Sequence, residues 1–165
     1  MQPAAGFVRL VPLVSIRIVD DMSSLDTAQT VLVEIPRAEC LELLAGSHFG
    51  RVAISRGDDA PIIRPINYVF DQRSQSVVFR TMSGTKLHGL VHAREAAFEI
   101  DEIEPGGRTG WSVVISGVAE EIENPSEIRR LLKIGLEVWA PGDLSYWARV
   151  RARTVSGRRI VALGS

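Results

Sequence analysis

The chain has 165 residues, 45% of them hydrophobic and 24% charged, with a formal net charge of −1. That size accommodates one domain with a substantial core, and the near-neutral balance argues against nucleic acid or an anionic membrane surface as partner. A lone cysteine, Cys40, rules out an internal disulfide framework and fits a reducing, cytoplasmic compartment. No apolar run approaches the ~18–20 residues of a membrane-spanning helix.

Residues 1–35 read as an N-terminal extension, partly disordered or contributing one extra strand. Phe7 to Val19 is apolar, but Arg9 and Arg17 interrupt it and no small-residue cleavage site follows, which argues against a signal peptide. Val14 to Ile18 alternates as a strand would, until Asp20 to Ser24 breaks the pattern, and Met22 offers an alternative start. Residues 36–165 read as the domain itself. Pro36 suits a first helical position, Leu41 and Leu44 share a face on which Cys40 packs, and Gly46 stands where a helix stops.

From Gly50 the period shortens to that of strands. Arg51 to Arg56, Pro61 to Phe70 and Gln75 to Thr81 are linked by short polar turns, which predicts an antiparallel meander. Pro65 removes a ladder donor from the second strand and marks an edge or a bulge.

The third strand runs into a polar loop and a helix start, Val77 to Leu87. Arg80 and Lys86 supply two cations there, and Thr81, Ser83 and Thr85 supply three hydroxyls. Gly84 permits a tight turn, and a helix begun at this point aims free N–H groups at the same space. The combination suits a phosphate; Ser83 or Thr85 as an ordinary helix cap, with surface salt bridges, is the competing reading.

A helix is expected from Gly84 to about His92, with Leu87, Leu90 and Val91 inward. Strands follow over Ala96 to Asp101 and Trp111 to Ala119. Asn124-Pro125-Ser126-Glu127 is a strong helix start, with Ile128, Leu131, Leu132 and Val138 expected on the inner face. The chain closes with a strand from Tyr146 to Thr154, a turn at Ser156-Gly157, and a strand from Arg158 to Leu163. These elements predict an α+β fold, a mostly antiparallel split β-barrel of six or seven strands with about three flanking helices.

The ordered set Gly50-Arg51-Val52-Ala53, Pro65-Ile66-Asn67-Tyr68-Val69, Phe79-Arg80-Thr81, Gly84-Thr85-Lys86, Phe98-Glu99-Ile100-Asp101 and Trp111 to Gly117 resembles the pyridoxamine 5′-phosphate oxidase-like FMN-binding split-barrel family. It is more similar to the nitroimidazole-resistance or general stress-type branch than to the biosynthetic oxidase, whose basic C-terminal substrate motif has no clear counterpart here.

The resemblance implies a homodimer with FMN in grooves at the subunit interface. Arg80 and Lys86 would clamp the phosphate, with Thr81, Ser83 and Thr85 as neutral donors. Arg64, Pro65, Ile66, Asn67 and Tyr68 would run along the isoalloxazine edge, and Trp111 would lie near the ring of its own subunit or the partner's. The implied function is an oxidoreductase, a reductase or oxidase of a small molecule. The alternatives are a deazaflavin-dependent reductase, whose polyanionic coenzyme the C-terminal arginines would serve, and a non-catalytic flavin-binding or sensing protein.

No Ser/His/Asp or Cys/His spacing argues for nucleophilic chemistry, so no catalytic side chain is assigned. His88 and His92 lie four apart, but no third ligand accompanies them and Gly89 stands where a His-Glu-x-x-His motif needs glutamate, so no metal is assigned. His48 precedes the first barrel strand and suits the mouth of the ligand site. Arg149, Arg151 and Arg153 alternate along one strand face, where the acids of Glu120-Glu121-Glu123 are their expected partners.

Overall fold

The computed structural model describes residues 29–54, 60–82, 92–106, 108–137, 139 and 142–163. The expected split barrel is present. Eight strands and two helices occur among the described residues: β1 (Thr30–Ile35), α1 (Arg37–Gly46), β2 (Phe49–Ile54), β3 (Ile62–Asn67), β4 (Val69–Asp71), β5 (Ser76–Thr81), β6 (His92–Ile103), β7 (Gly110–Glu121), α2 (Pro125–Leu131) and β8 (Tyr146–Ala162). All pairings are antiparallel, in the order β3-β2-β6-β7-β8-β5-β4, with β1 added alongside β8.

The two ends of that order, β3 and β4, are consecutive in the chain. One bent segment therefore closes the sheet on itself. The bend is at Tyr68, where the expected single strand over Pro61–Phe70 divides. Its backbone N–H still donates to the His48 carbonyl at 3.0 Å, in register with the β2–β3 pair, before the chain passes on to β4 beside β5. Pro65 stands in β3, an end strand of the sheet, where a missing donor is tolerated.

Two further departures have local causes. The predicted turn at Ser156-Gly157 is absent, and β8 runs unbroken for 17 residues. At Gly157 an added Cβ would approach Cys40 Sγ to 2.6 Å and Ile35 Cβ to 3.0 Å. The glycine thus lets α1 and β1 settle onto the strand rather than turning it. The extra strand found is Thr30–Ile35, rich in β-branched residues and paired along β8; the Val14–Ile18 candidate lies outside the described residues. Of the helix expected over Gly84–His92, only His92 is described, and it opens β6.

The barrel core gathers Val52, Ile54, Val77, Phe79, Phe98, Ile100, Val113 and Ile115 with Cys40 and Leu44 of α1. A smaller apolar cluster on the outer side of β5 and β8 holds Val69, Val78, Ile122, Trp147 and Leu131 under α2. Asn124 caps that helix as its sequence predicts, accepting from the N–H groups of Ser126 and Glu127. Leu132, expected inward, is exposed, because the helix tightens into a 3-10 turn over Leu132–Ile134 and rotates it outward.

Candidate functional site

Alternation along β5 sends Val77, Phe79 and Thr81 into the barrel and leaves Ser76, Val78 and Arg80 on the outer face. The β4–β5 pairing ends at Val69 and Val78, so Asn67 and Arg80 each stand two residues beyond the last pair, where β3 comes into contact with β5. Across the next strand Asn67 pairs with Phe49, and on its other side Arg80 pairs with Trp147. Phe49, Asn67, Arg80 and Trp147 thus form one transverse row on the outer face. The Arg80 guanidinium carbon stands 5.3 Å from the Trp147 ring centroid, a cation–π distance.

Polar bookkeeping singles out the middle of this row. Among the described residues, the buried side-chain nitrogens with no hydrogen-bond partner are Asn67 Nδ2 and Arg80 Nε. Such groups are rare in folded proteins, because a buried unpaired donor costs about 1–3 kcal/mol. The two stand on different strands, β3 and β5, and no described residue supplies either of them with an acceptor.

A cleft of about 120 Å³ opens beside Asn67, with His48, Gly135, Glu137 and Trp139 in its wall. The Trp139 and Phe49 rings stack with centroids 5.9 Å apart and planes 10° from parallel, and both are about half exposed. His48 lines this cleft together with Asn67.

The other predicted residues separate into groups. Arg64 and Pro65 are exposed on β3, and Arg64 donates to the carbonyl of Ile63. Ile66 and Tyr68 face the core. Tyr68 is 1% exposed, packs edge-on to Phe98 at 4.7 Å and donates its hydroxyl to the Leu44 carbonyl at 2.8 Å. Burial pushes its phenol pKa far up, so Tyr68 stays a neutral core donor. With its backbone N–H also taken, it is an architectural residue of the bend. Thr81 is buried on the face opposite to Arg80. Ser83, Thr85 and Lys86 lie outside the described residues.

Trp111 is not beside Arg80 in the same chain. Nearly the whole length of β8 lies between their cross-strand partners, Arg159 and Trp147. Trp111 lines a separate cleft of about 600 Å³ with Arg51, Asp101, Glu102, Ile103 and Arg158, and its indole donates to Glu102 at 3.2 Å. The two clefts have no wall residue in common.

Four of the C-terminal arginines have carboxylate partners, while Arg158 lines the Trp111 cleft. Arg149 bridges Glu120 and Glu127, Arg151 reaches Glu120, Arg153 reaches Glu95 and Arg159 reaches Glu39. Burial works against charge on Glu120, but Arg149 and Arg151 outweigh it and hold its pKa below the usual carboxylate value. The expected acid partner is thus found at Glu120 for Arg149 and Arg151, whereas Arg153 and Arg159 pair with Glu95 and Glu39 instead.

Sequence reading missed the aromatic ends of the row. A signal existed at Phe49, which falls out of phase with the inward set Val52 and Ile54. The Phe49–Trp139 contact joins residues far apart in the chain and had none. No cluster of metal-ligating side chains occurs among the described residues, and none of their helices is long and apolar enough to cross a membrane.

Residues 36–162 match the family model described as pyridoxamine 5′-phosphate oxidase. The chain is 35% identical over 137 residues to an uncharacterized protein of Mycobacterium tuberculosis, a match covering 79% of this chain and 87% of that one. Among solved structures it is similar to the FAD binding protein from Mycobacterium smegmatis, at 31% identity and a TM-score of 0.65, covering 76% of this chain and 96% of the other. A FAD-binding protein from Mesorhizobium loti follows at 25% identity and a TM-score of 0.63, covering 78% and 98%.

Proposed function

The chain belongs to the pyridoxamine 5′-phosphate oxidase family, and from that premise we propose that it binds a flavin on the outer face of β3 and β5 and acts as a flavin-dependent oxidoreductase on a small molecule. The observation that carries this reading is the pair of buried, unpartnered nitrogens on Asn67 and Arg80. A flavin offers the acceptors they lack: phosphate oxygens for the guanidinium, and ring carbonyl and nitrogen atoms for the amide. FMN contains everything these two residues require, and FAD carries the same first phosphate. The solved relatives described as FAD-binding lend support to a flavin in either form.

When bound, a flavin supplies hydride and electron transfer, so the protein need only hold and orient it. Arg80 is suited to the phosphate because Trp147 fixes its guanidinium plane from one side. Asn67 stands at the end of β3, where the chain bends, in the wall of the 120 Å³ cleft. The family's reading of Lys86, Ser83 and Thr85 as further phosphate donors forms part of this proposal.

We further propose that the functional unit is a homodimer. Trp111, which the family resemblance places near the flavin, stands in a cleft that neither Asn67 nor Arg80 lines, so a second copy would bring them together. The deazaflavin alternative loses ground here, since Arg149, Arg151, Arg153 and Arg159 all have carboxylate partners.

The test is titration of the purified protein with FMN and with FAD, followed by visible absorption after desalting. Retention of about one flavin per chain, followed by bleaching with a nicotinamide donor and recovery with an acceptor, is the expected result. A protein that retains neither flavin would overturn the reading, and one that retains flavin without turnover would reduce it to a binding or sensing role. Light scattering tests the dimer, which a monomer mass would exclude.

A further inference from the structure

The row that carries Asn67 and Arg80 is polarised from one end to the other. Its Arg80 end is cationic. At its Phe49 end, the cleft wall offers a single fixed charge among the described residues, the carboxylate of Glu137. Trp139 presents an indole about half exposed, backed by the parallel ring of Phe49 and tethered by its Nε1 donating to Glu137 at 3.3 Å. An exposed indole ordered from behind and from its edge is a flat, pre-organised stacking surface, and the negative face of its π-system favours positive charge. The cleft itself, about 120 Å³, is smaller than the roughly 300–1,000 Å³ that encloses a whole drug-sized ligand. It has room for one small ring, not for a second cofactor.

We propose that Trp139, stacked on Phe49 and paired with Glu137, is the substrate shelf of this protein, and that it takes a planar heteroaromatic ring bearing positive charge or an amine or amide donor. The inference rests on the flavin reading for its functional meaning, since it places the substrate ring next to Asn67. The shelf itself is defined by geometry alone. Stacking on the indole supplies most of the contact, and Glu137 selects the charge. Gly135 completes the wall in the left-handed region, at φ 84°, where a side chain would be strained. An anionic ring of the same size meets the Glu137 carboxylate and is rejected. The flavin phosphate and the substrate are thereby sorted to opposite ends of one row by charge.

The experiment is calorimetric titration of the full chain, flavin-loaded and flavin-free, with 1-methylnicotinamide as the cationic probe and benzoate as its anionic counterpart. The expected result is saturable binding of 1-methylnicotinamide and none of benzoate. Binding should weaken at least tenfold in Trp139→Ala and in Glu137→Gln, whereas Trp139→Phe retains most of it. Flavin retention, measured on the same samples, should be unchanged in Glu137→Gln.

Equal binding of the two probes, or probe binding indifferent to both Trp139→Ala and Glu137→Gln, overturns the shelf. A wild-type protein that binds the cationic probe but retains no flavin upholds the shelf while defeating the flavin reading. One that retains flavin and binds neither probe defeats the shelf alone. Because Trp139 and Glu137 are exposed, their replacement leaves the core intact, and an unchanged unfolding midpoint checks this.

Discussion

Two regions of the same outer surface are built around arginine and have opposite characters. Beneath α2, the half-buried and buried charges are paired: Arg130 makes a two-pronged contact with Asp71 at 2.9 and 2.7 Å, and Arg149 is shared between Glu120 and Glu127. One row away, Arg80 has an aromatic ring behind it and a buried nitrogen with nothing to bind. The first arrangement is complete and fastens a helix to the barrel. The second is incomplete, and proteins keep such a defect where an external partner removes it. Counting arginines along the sequence would treat the two alike; tallying their hydrogen-bond partners does not.

The sharpest way to break the comparison is Arg80→Met. Removing the cation should weaken flavin binding by about 100-fold, or about 3 kcal/mol, by titration. Because the replaced nitrogen was unsatisfied, the flavin-free protein should be as stable as the wild type or slightly more so in urea. A variant that loses stability while keeping flavin would show that Arg80 is structural after all.

Asp71→Asn should do the reverse, costing about 2–3 kcal/mol of stability with flavin affinity preserved, since it removes a hydrogen-bonded charge from a carboxylate only 4% exposed. The Arg130 contact is the main cause of the lowered Asp71 pKa, working against burial and aided by Ser74. A depressed carboxylate pKa means that its stabilisation is present above the unfolded value of about 3.9 and is lost as pH falls through the lower folded value. Urea midpoints from pH 7 downward should therefore fall more steeply below pH ~4 in the wild type than in Asp71→Asn.

Smaller effects sharpen the contrast further. Arg149→Ala, at a side chain 13% exposed between two carboxylates, should cost about 1–2 kcal/mol in thermal or urea unfolding and leave flavin titration unmoved. Arg153→Ala, where the pair is 60% and 72% exposed, should change stability by less than about 0.5 kcal/mol. A large loss at Arg153 would mean that the exposed side of β8 is covered in solution, which the same sample's mass would reveal.

Helix and strand placement was legible where local chemistry decides it. Asn124-Pro125 starts α2 because a side-chain acceptor and a fixed φ act within one turn, and the alternation of β7 appears in its burial. Gly157 was misread because glycine is equally at home in a turn and at a close crossing. Only the position of Cys40 against it shows which applies. Arg80 was legible as a candidate ligand from its place after Phe79. That no acid among the described residues pairs with it was not, since that depends on where each carboxylate in the fold comes to rest.

By itself the sequence determined the class of fold and most of its strands, because hydrophobic period, capping and proline act over a few neighbours. The tertiary structure alone decided that Phe49, Asn67, Arg80 and Trp147 share one row, that Tyr68 belongs to the core and that Trp111 stands in another cleft. Those outcomes follow from closing the sheet through β3 and β4. Closure fixes register between strands distant in sequence, and register decides which side chains meet.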